Sequence, residues 1–250
     1  MTRTAEPTTG SPLPSRGACC SNGAGRWRLR LVATAMALAA LASLALFIDL
    51  DVARWCKAGH LPGELKRLLN FAEVFAHGMG VAVILVAAVA LDPSLSPAIA
   101  GDGRRAGAFG RLRRGSDLLR MIAAAVAGGI MVDVIKALVD RVRPRAADLT
   151  AVASAIATFG TQAAERITSH SDVNSFPSGH AAMAAGLAAA LSWKYPRGSW
   201  LFLALAIAAA AQRVATSAHY PSDVLLGAAL GLIGAAMFLG KAPDRPPPSA

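Results

Sequence analysis

The chain is short of cysteine, of charge and of the short motifs that mark soluble nucleotide- or metal-dependent enzymes. Its three cysteines, Cys19, Cys20 and Cys56, are too few for a disulfide framework and lack zinc-ligand spacing. Cys19-Cys20 beside a basic segment is a possible acylation site, but we read it as two thiols in a tail. Charged residues make up only 16% of 250, against 54% hydrophobic. That is too apolar for an ordinary soluble domain and fits several membrane-spanning helices. No Gly-rich phosphate loop, His-Glu-x-x-His or carboxylate cluster occurs, so no metal and no cofactor is expected. The net charge of +10 raises nucleic acid as a partner. The basic residues sit in loops between apolar runs and form no basic stripe, which favours membrane orientation and anionic lipid instead. No long internal repeat is present.

What is there is a series of apolar runs. Residues 1–25, rich in Pro, Gly, Ser and Thr, read as a disordered tail. Arg26, Arg28 and Arg30 then lead into Leu31–Ile48, too long for the core of a cleaved signal peptide and near the length of a span. Further spans are expected at Phe71–Leu91, Leu118–Val139, His180–Trp193, Trp200–Arg213 and Asp223–Gly240. Residues 49–70 read as a mixed loop broken at Pro62-Gly63, Leu149–Phe159 as a short surface helix, and 241–250 as a Pro-rich tail. The expected architecture is all-α, a polytopic membrane protein with six transmembrane helices in one bundle over residues 26–240. Lys and Arg number 14 on the side holding both termini and 10 on the other. This places the termini in the cytoplasm and the first, third and fifth loops outside, with Trp27, Trp193 and Trp200 at the inner boundary. Ala-rich composition and short loops suggest a bacterial inner membrane. Gly227 and Gly231 form a small-xxx-small pair that predicts close helix packing.

Chemistry-bearing residues gather at the ends of four spans. Ser175-Phe-Pro-Ser-Gly-His180 stands where a polar loop enters the fourth span. Ser is a favoured N-cap, Gly admits close backbone approach, and free N–H groups at a helix start attract anions. Lys136 and Arg143, seven apart, share one helix face, and Pro144 marks its end. A structural ion-pair network with Asp133 and Asp140 is the competing reading of those cations. Arg213 ends the fifth span. His219 and Asp223 open the sixth, where Asp223 either orients the imidazole or caps the helix. On the predicted topology all these ends share the outer face. Three cations and backbone donors match a phosphate, and two histidines supply an attacker and a proton donor. Glu73 and His77, four apart, read as a polar pair facing other helices rather than as a proton relay or metal pair.

Lys136-x6-Arg143-Pro144, Pro177-Ser-Gly-His180 and Arg213-x5-His219-x3-Asp223, in that order, resemble the three signature motifs of the type 2 phosphatidic acid phosphatase superfamily. The motifs cover about 90 residues and the six-span layout most of the rest. Gln212 stands where the family's third motif usually has Ser, a change expected to matter little because Gln still donates to an oxygen. The resemblance implies a metal-independent phosphatase acting on lipid phosphates or pyrophosphates, of the phosphatidic acid, phosphatidylglycerol phosphate or undecaprenyl pyrophosphate type. It implies that His219 is the nucleophile, that Asp223 orients it and that His180 protonates the leaving oxygen. It also implies that Lys136, Arg143 and Arg213 hold the phosphate, with Ser178 and Gly179 assisting. A lipid phosphotransferase and a lipid-phosphate binding or transport protein remain as alternatives. The transmembrane content argues against the superfamily's soluble vanadium haloperoxidases. The fourth and fifth runs, ~21–24 Å long against a ~30 Å hydrocarbon core, suggest a site recessed slightly into the membrane.

Overall fold

A computed structural model describes residues 22–92, 95, 108–160 and 169–240. Eight α-helices are found among them: α1 (Asn22–Ala45), α2 (Asp49–Lys57), α3 (Gly63–Ala72), α4 (Gly78–Leu91), α5 (Ala108–Lys136), α6 (Gly179–Lys194), α7 (Ser199–Ala215) and α8 (Pro221–Phe238). No strand occurs among the described residues. The protein is an all-α, polytopic integral membrane protein. Four helices are long and apolar enough to cross a bilayer, and the bent pair α3–α4 makes a fifth. Of the two remaining helices, α2 has 9 residues and α6 has 16, about 24 Å of rise, so both fall short of that length and the expected count of six spans is not reached among the described residues.

The core is built around α6. Its alanines leave the backbone close to its neighbours, and almost every residue from Ala181 to Leu191 is buried. Helices α5, α7 and α8 surround it, α1 lies along α8, and α3 lies along α7. Contact among α5, α6 and α8 is backbone against backbone. A Cβ on Gly128 would stand 2.4 Å from the Cα of Gly231; one on Gly231 would stand 2.2 Å from the carbonyl oxygen of Ala182. The Gly227/Gly231 pair therefore packs closely, as its spacing predicts. The opposite faces of α1, α4 and α7 expose Met36, Leu44, Val86, Leu203 and Ile207, an apolar surface suited to acyl chains.

Several expectations change. The segment 49–70 is not a loop: it forms α2 and α3, because the apolar face of each, led by Leu50, Ala53 and Ala72, finds burial. The second span does not run unbroken from Phe71. A 3-10 turn at Glu73–Phe75 and extended backbone at His77 bend it by 66°. Glu73 and His77 consequently do not share a regular helix face. Leu149–Phe159 forms no α-helix; only Ala155–Thr158 turns, as a 3-10 segment, because its carbonyls serve other partners. Helix α1 begins at Asn22, inside the expected tail. Trp193 is not at a lipid boundary but buried, its Nε1 donating to the carbonyl of Gly240 at 3.2 Å, whereas Trp200 is exposed. Cys19-Cys20 and the tail 241–250 lie outside the described residues.

Candidate active site

The C-terminal ends of α5 and α7 meet the N-terminal ends of α6 and α8 at one end of the bundle, where every motif residue lies. Beyond α5 the backbone at Arg141–Arg143 is threaded between two later segments. Arg141 N–H donates to Val173 O (2.8 Å), Val142 N–H to Thr158 O (2.9 Å) and Arg143 N–H to Asp172 O (2.7 Å). Ser175 N–H closes the set on Arg141 O at 2.9 Å. These bonds tie the first motif to the approach of the second. The Phe176–Pro177 peptide is cis. Ser178 N-caps α6, its Oγ accepting from Ala181 N–H at 3.4 Å. Ser178 N–H donates to Asp223 O at 3.0 Å, joining α6 to α8.

The three cations converge. The ammonium of Lys136 lies 3.9 Å from where a Cβ on Gly179 would stand. The charges of Arg143 and Arg213 act on Lys136, and that of Arg213 acts on Arg143. No ion pair joins Lys136 to Asp133 or Asp140 among the described residues, so the alternative network does not form. Two buried donors of the site, Nε of Arg143 and Nε of Arg213, have no hydrogen-bond partner. A buried guanidinium N–H without an acceptor is costly. An anion between the two arginines would satisfy both.

His219 is buried, 2% exposed. Its Nδ1 lies 2.6 Å from the carbonyl oxygen of Ser175. A carbonyl only accepts, so Nδ1 carries the proton and Nε2 presents a lone pair. Asp223 Oδ2 stands 3.8 Å from the same nitrogen, beyond hydrogen-bond range but close enough to stabilise a positive ring. Burial holds the His219 pKa below its ordinary value, with Asp223 pulling the other way. Asp223 accepts from Arg141, from Ser175 Oγ at 2.5 Å and from Tyr220 N–H at 2.9 Å. It therefore caps α8, as one sequence reading expects, while the hydrogen bond to the imidazole that the other expects of it is made instead by Ser175 O.

Sequence reasoning missed Arg141 and Asp49, and it named Glu73 only as half of a polar pair with His77. Arg141 is fully buried. It donates to Asp49 at 2.7 Å, to Ser222 Oγ at 2.8 Å, to Thr158 Oγ1 at 3.0 Å and to Asp223. Its guanidinium lies between the rings of Phe159 and Tyr220, at 4.3 and 4.0 Å. Asp49 also accepts from Ser222 N–H at 3.0 Å and from Ser222 Oγ. The available signal was a charge at the edge of an apolar run, which by itself reads as solvated. Glu73 accepts from Arg213 at 3.0 Å and from Gln212 at 3.2 Å, and lies 4.0 Å from His180 Nε2. The His77 and His180 rings are 5.8 Å apart. The polar pair of the second span thus faces the motif residues, and Gln212, the departure from the family motif, holds Glu73.

The PAP2 superfamily pattern matches residues 117–245, the part that contains all these ends. The chain belongs to the PAP2 superfamily. Among curated relatives, a lipid A 1-phosphatase of Rhizobium johnstonii is 33% identical over 106 residues, 42% of this chain and 40% of its own length. A lipid A 1-phosphatase of Rhizobium etli is 31% identical over 111 residues, 44% of each chain. The bacitracin transport permease protein BcrC of Bacillus licheniformis is 33% identical over 78 residues, 31% of this chain and 38% of its own. The similarity thus spans less than half the length of these relatives. No solved structure matches.

Proposed function

We propose that this chain is an integral-membrane phosphatase hydrolysing a lipid phosphate or lipid pyrophosphate through a phosphohistidine. The observation that carries the proposal is the pair of unsatisfied buried N–H groups of Arg143 and Arg213, beside a histidine whose Nε2 lone pair is free to attack. In the first step Nε2 of His219 bonds to phosphorus while the bond to the leaving oxygen breaks. His180 gives that oxygen its proton. In the second, water attacks phosphorus, His180 takes a proton from it, and inorganic phosphate leaves with His219 restored. Ser175 O and Asp223 stabilise the positive ring of the intermediate. Lys136, Arg143 and Arg213, with the N–H groups near Ser178 and Gly179, offset charge on the non-bridging oxygens. No metal enters these steps. Bacterial inner-membrane residence, with the site on the periplasmic face, belongs to the same reading.

The test is phosphate release in EDTA across phosphatidic acid, phosphatidylglycerol phosphate and undecaprenyl pyrophosphate, for wild type and His219→Ala. Labelled substrate should leave an acid-labile, alkali-stable label on the wild type and none on the variant. Undiminished turnover by His219→Ala would remove the nucleophile assignment. A relative named as a transport permease favours one second reading, lipid-phosphate binding or transport. Specific binding without turnover by the wild type would favour it.

A further inference from the structure

Glu73 stands among the cations that the motifs supply for a phosphate, and its charge opposes theirs. Its Oε1 accepts from Arg213 Nη1 at 3.0 Å. A carboxylate on that arginine competes with a phosphate for the same donor and repels it. The pair repays little in stability, because the Glu73 side chain is 38% exposed. Residues 117–245, which the superfamily pattern matches, do not include it. A charge that hinders anion binding and adds little to the fold calls for a role in the reaction itself.

The local structure holds this carboxylate in one place. The 66° bend of the α3–α4 pair begins at the 3-10 turn Glu73–Phe75, which rests on α7. The carbonyl of Glu73 closes the turn by accepting from Ala76 N–H at 2.9 Å and His77 N–H at 3.0 Å. Gln212 Nε2 donates to Glu73 Oε2 at 3.2 Å and to Asn70 Oδ1 at 3.3 Å. A serine at 212 is two atoms shorter and does not span that distance, so the departure from the usual motif is what anchors Oε2. With Oε2 held, Oε1 lies between two partners, Arg213 Nη1 at 3.0 Å and His180 Nε2 at 4.0 Å. The second distance is about 1 Å longer than a hydrogen bond. Among the described residues no other carboxylate stands within ion-pair distance of His180. The ring of His77 flanks that of His180 from the same bent pair, 5.8 Å away.

We propose that Glu73 is the positioning carboxylate of His180 and that phosphate binding hands it over from Arg213. Oε1 and a phosphate oxygen compete for Arg213. Where the phosphate takes the arginine, Oε1 closes the remaining distance of about 1 Å onto His180 Nε2–H. One nitrogen of the ring is then fixed, as Ser175 O fixes His219, and the other faces the leaving oxygen. In the first step the proton on that other nitrogen passes to the leaving oxygen, which keeps the electron pair of its broken bond to phosphorus. The ring is left neutral, with its remaining proton on Nε2 toward Glu73. In the second step the same nitrogen takes a proton from the attacking water. Glu73 stays ionised throughout. The proposal rests on the phosphatase reading and adds to it a residue outside the three motifs.

A dependence on the leaving group tests it. Glu73→Gln keeps the shape of the side chain and removes its charge. Full-length protein in detergent is assayed on phosphatidic acid, whose alcohol needs a proton to leave, and on an acyl-chain-bearing nitrophenyl phosphate, whose phenolate does not. The readout is the ratio of the two kcat/KM values, in which changes of phosphate affinity common to both esters cancel. Glu73→Gln should lower the ratio of phosphatidic acid to nitrophenyl ester about 10–100-fold, a part of what general acid catalysis supplies. On a His180→Ala background the same substitution should change the ratio less than about two-fold, because the group it positions is gone. Equal losses on both esters, no loss on either, or a full further loss in the double variant would overturn the proposal and leave the phosphatase reading intact. Surviving turnover of the nitrophenyl ester shows that the variants fold. A wild type that turns over neither ester sinks the phosphatase reading, and the proposal with it.

Discussion

Replacing Arg141 by methionine keeps much of the side chain's length and removes its charge. Asp49 and Asp223, both without exposed surface, then lose the cation they share. Ser222 and Thr158 lose a donor as well. Breaking a buried ion pair by removing one partner costs about 3–5 kcal/mol, and two carboxylates here depend on one arginine. The carboxylates relieve part of the cost by taking up protons, so about 3 kcal/mol is the lower expectation. For a chain of this size that lowers Tm by about 6–12 °C. Activity should fall too, by about 10–100-fold in kcat, because Asp223 also positions Tyr220 N–H and Ser175, whose carbonyl sets the His219 tautomer. Thermal unfolding of detergent-purified protein and phosphate release measure the two effects. Adding Asp49→Asn to the variant removes one stranded charge and should recover part of Tm. An Arg141→Met protein within about 2 °C of wild type, with unchanged kcat, would refute this account.

Three further outcomes are expected. Gly227→Ala puts a Cβ 2.2 Å from the carbonyl of Ser178; it should destabilise by about 1–3 kcal/mol and reduce kcat about a hundred-fold by moving the start of α6, whereas Gly25→Ala, with no atom nearby, should do neither. Because burial holds His219 neutral below its ordinary titration range, the acid limb of kcat/KM assigned to it should fall below pH ~6.5 and be absent at neutrality; a limb above that value would contradict the burial argument. Glu73→Gln removes a negative charge that competes for Arg213, so product inhibition by inorganic phosphate should tighten about five- to ten-fold; an unchanged inhibition constant would show that Glu73 and phosphate do not share the arginine.

The sequence displayed the site's chemistry more fully than its support. The candidate residues Lys136, Arg143, Ser178, Gly179, His180, Arg213, His219 and Asp223 were legible because each stands at a boundary between an apolar run and a polar segment, at the spacings of the three superfamily motifs. The helices of the core were legible as apolar runs. Arg141 and its two carboxylates were not, because their pairing spans 92 and 82 residues and leaves no local pattern. The bend at Glu73–His77 was hidden for a related reason. Phe71–Leu91 contains no proline, and Gly78 and Gly80 weaken a helix without fixing where it breaks; a Cβ on Gly80 would stand 1.8 Å from the carbonyl of Val74, so the fold-back depends on that glycine. Helices α2 and α3 looked like loop because their charged faces outweigh short apolar ones until a partner buries them.

The glycine contacts among α5, α6 and α8 have a consequence for how the site behaves over time. Side chains in a core exchange rotamers, and an interface made of side chains averages over those exchanges. Main chain resting on main chain has no such states to visit. The separation between Ser178 and Asp223, spanned by one hydrogen bond and by the Gly227 contact, therefore has no side-chain rotamers to average over. On the proposed mechanism, the helix start that would receive the anion and the loop that carries His219 therefore share one main-chain joint, while the bent α3–α4 pair stands across the site from it.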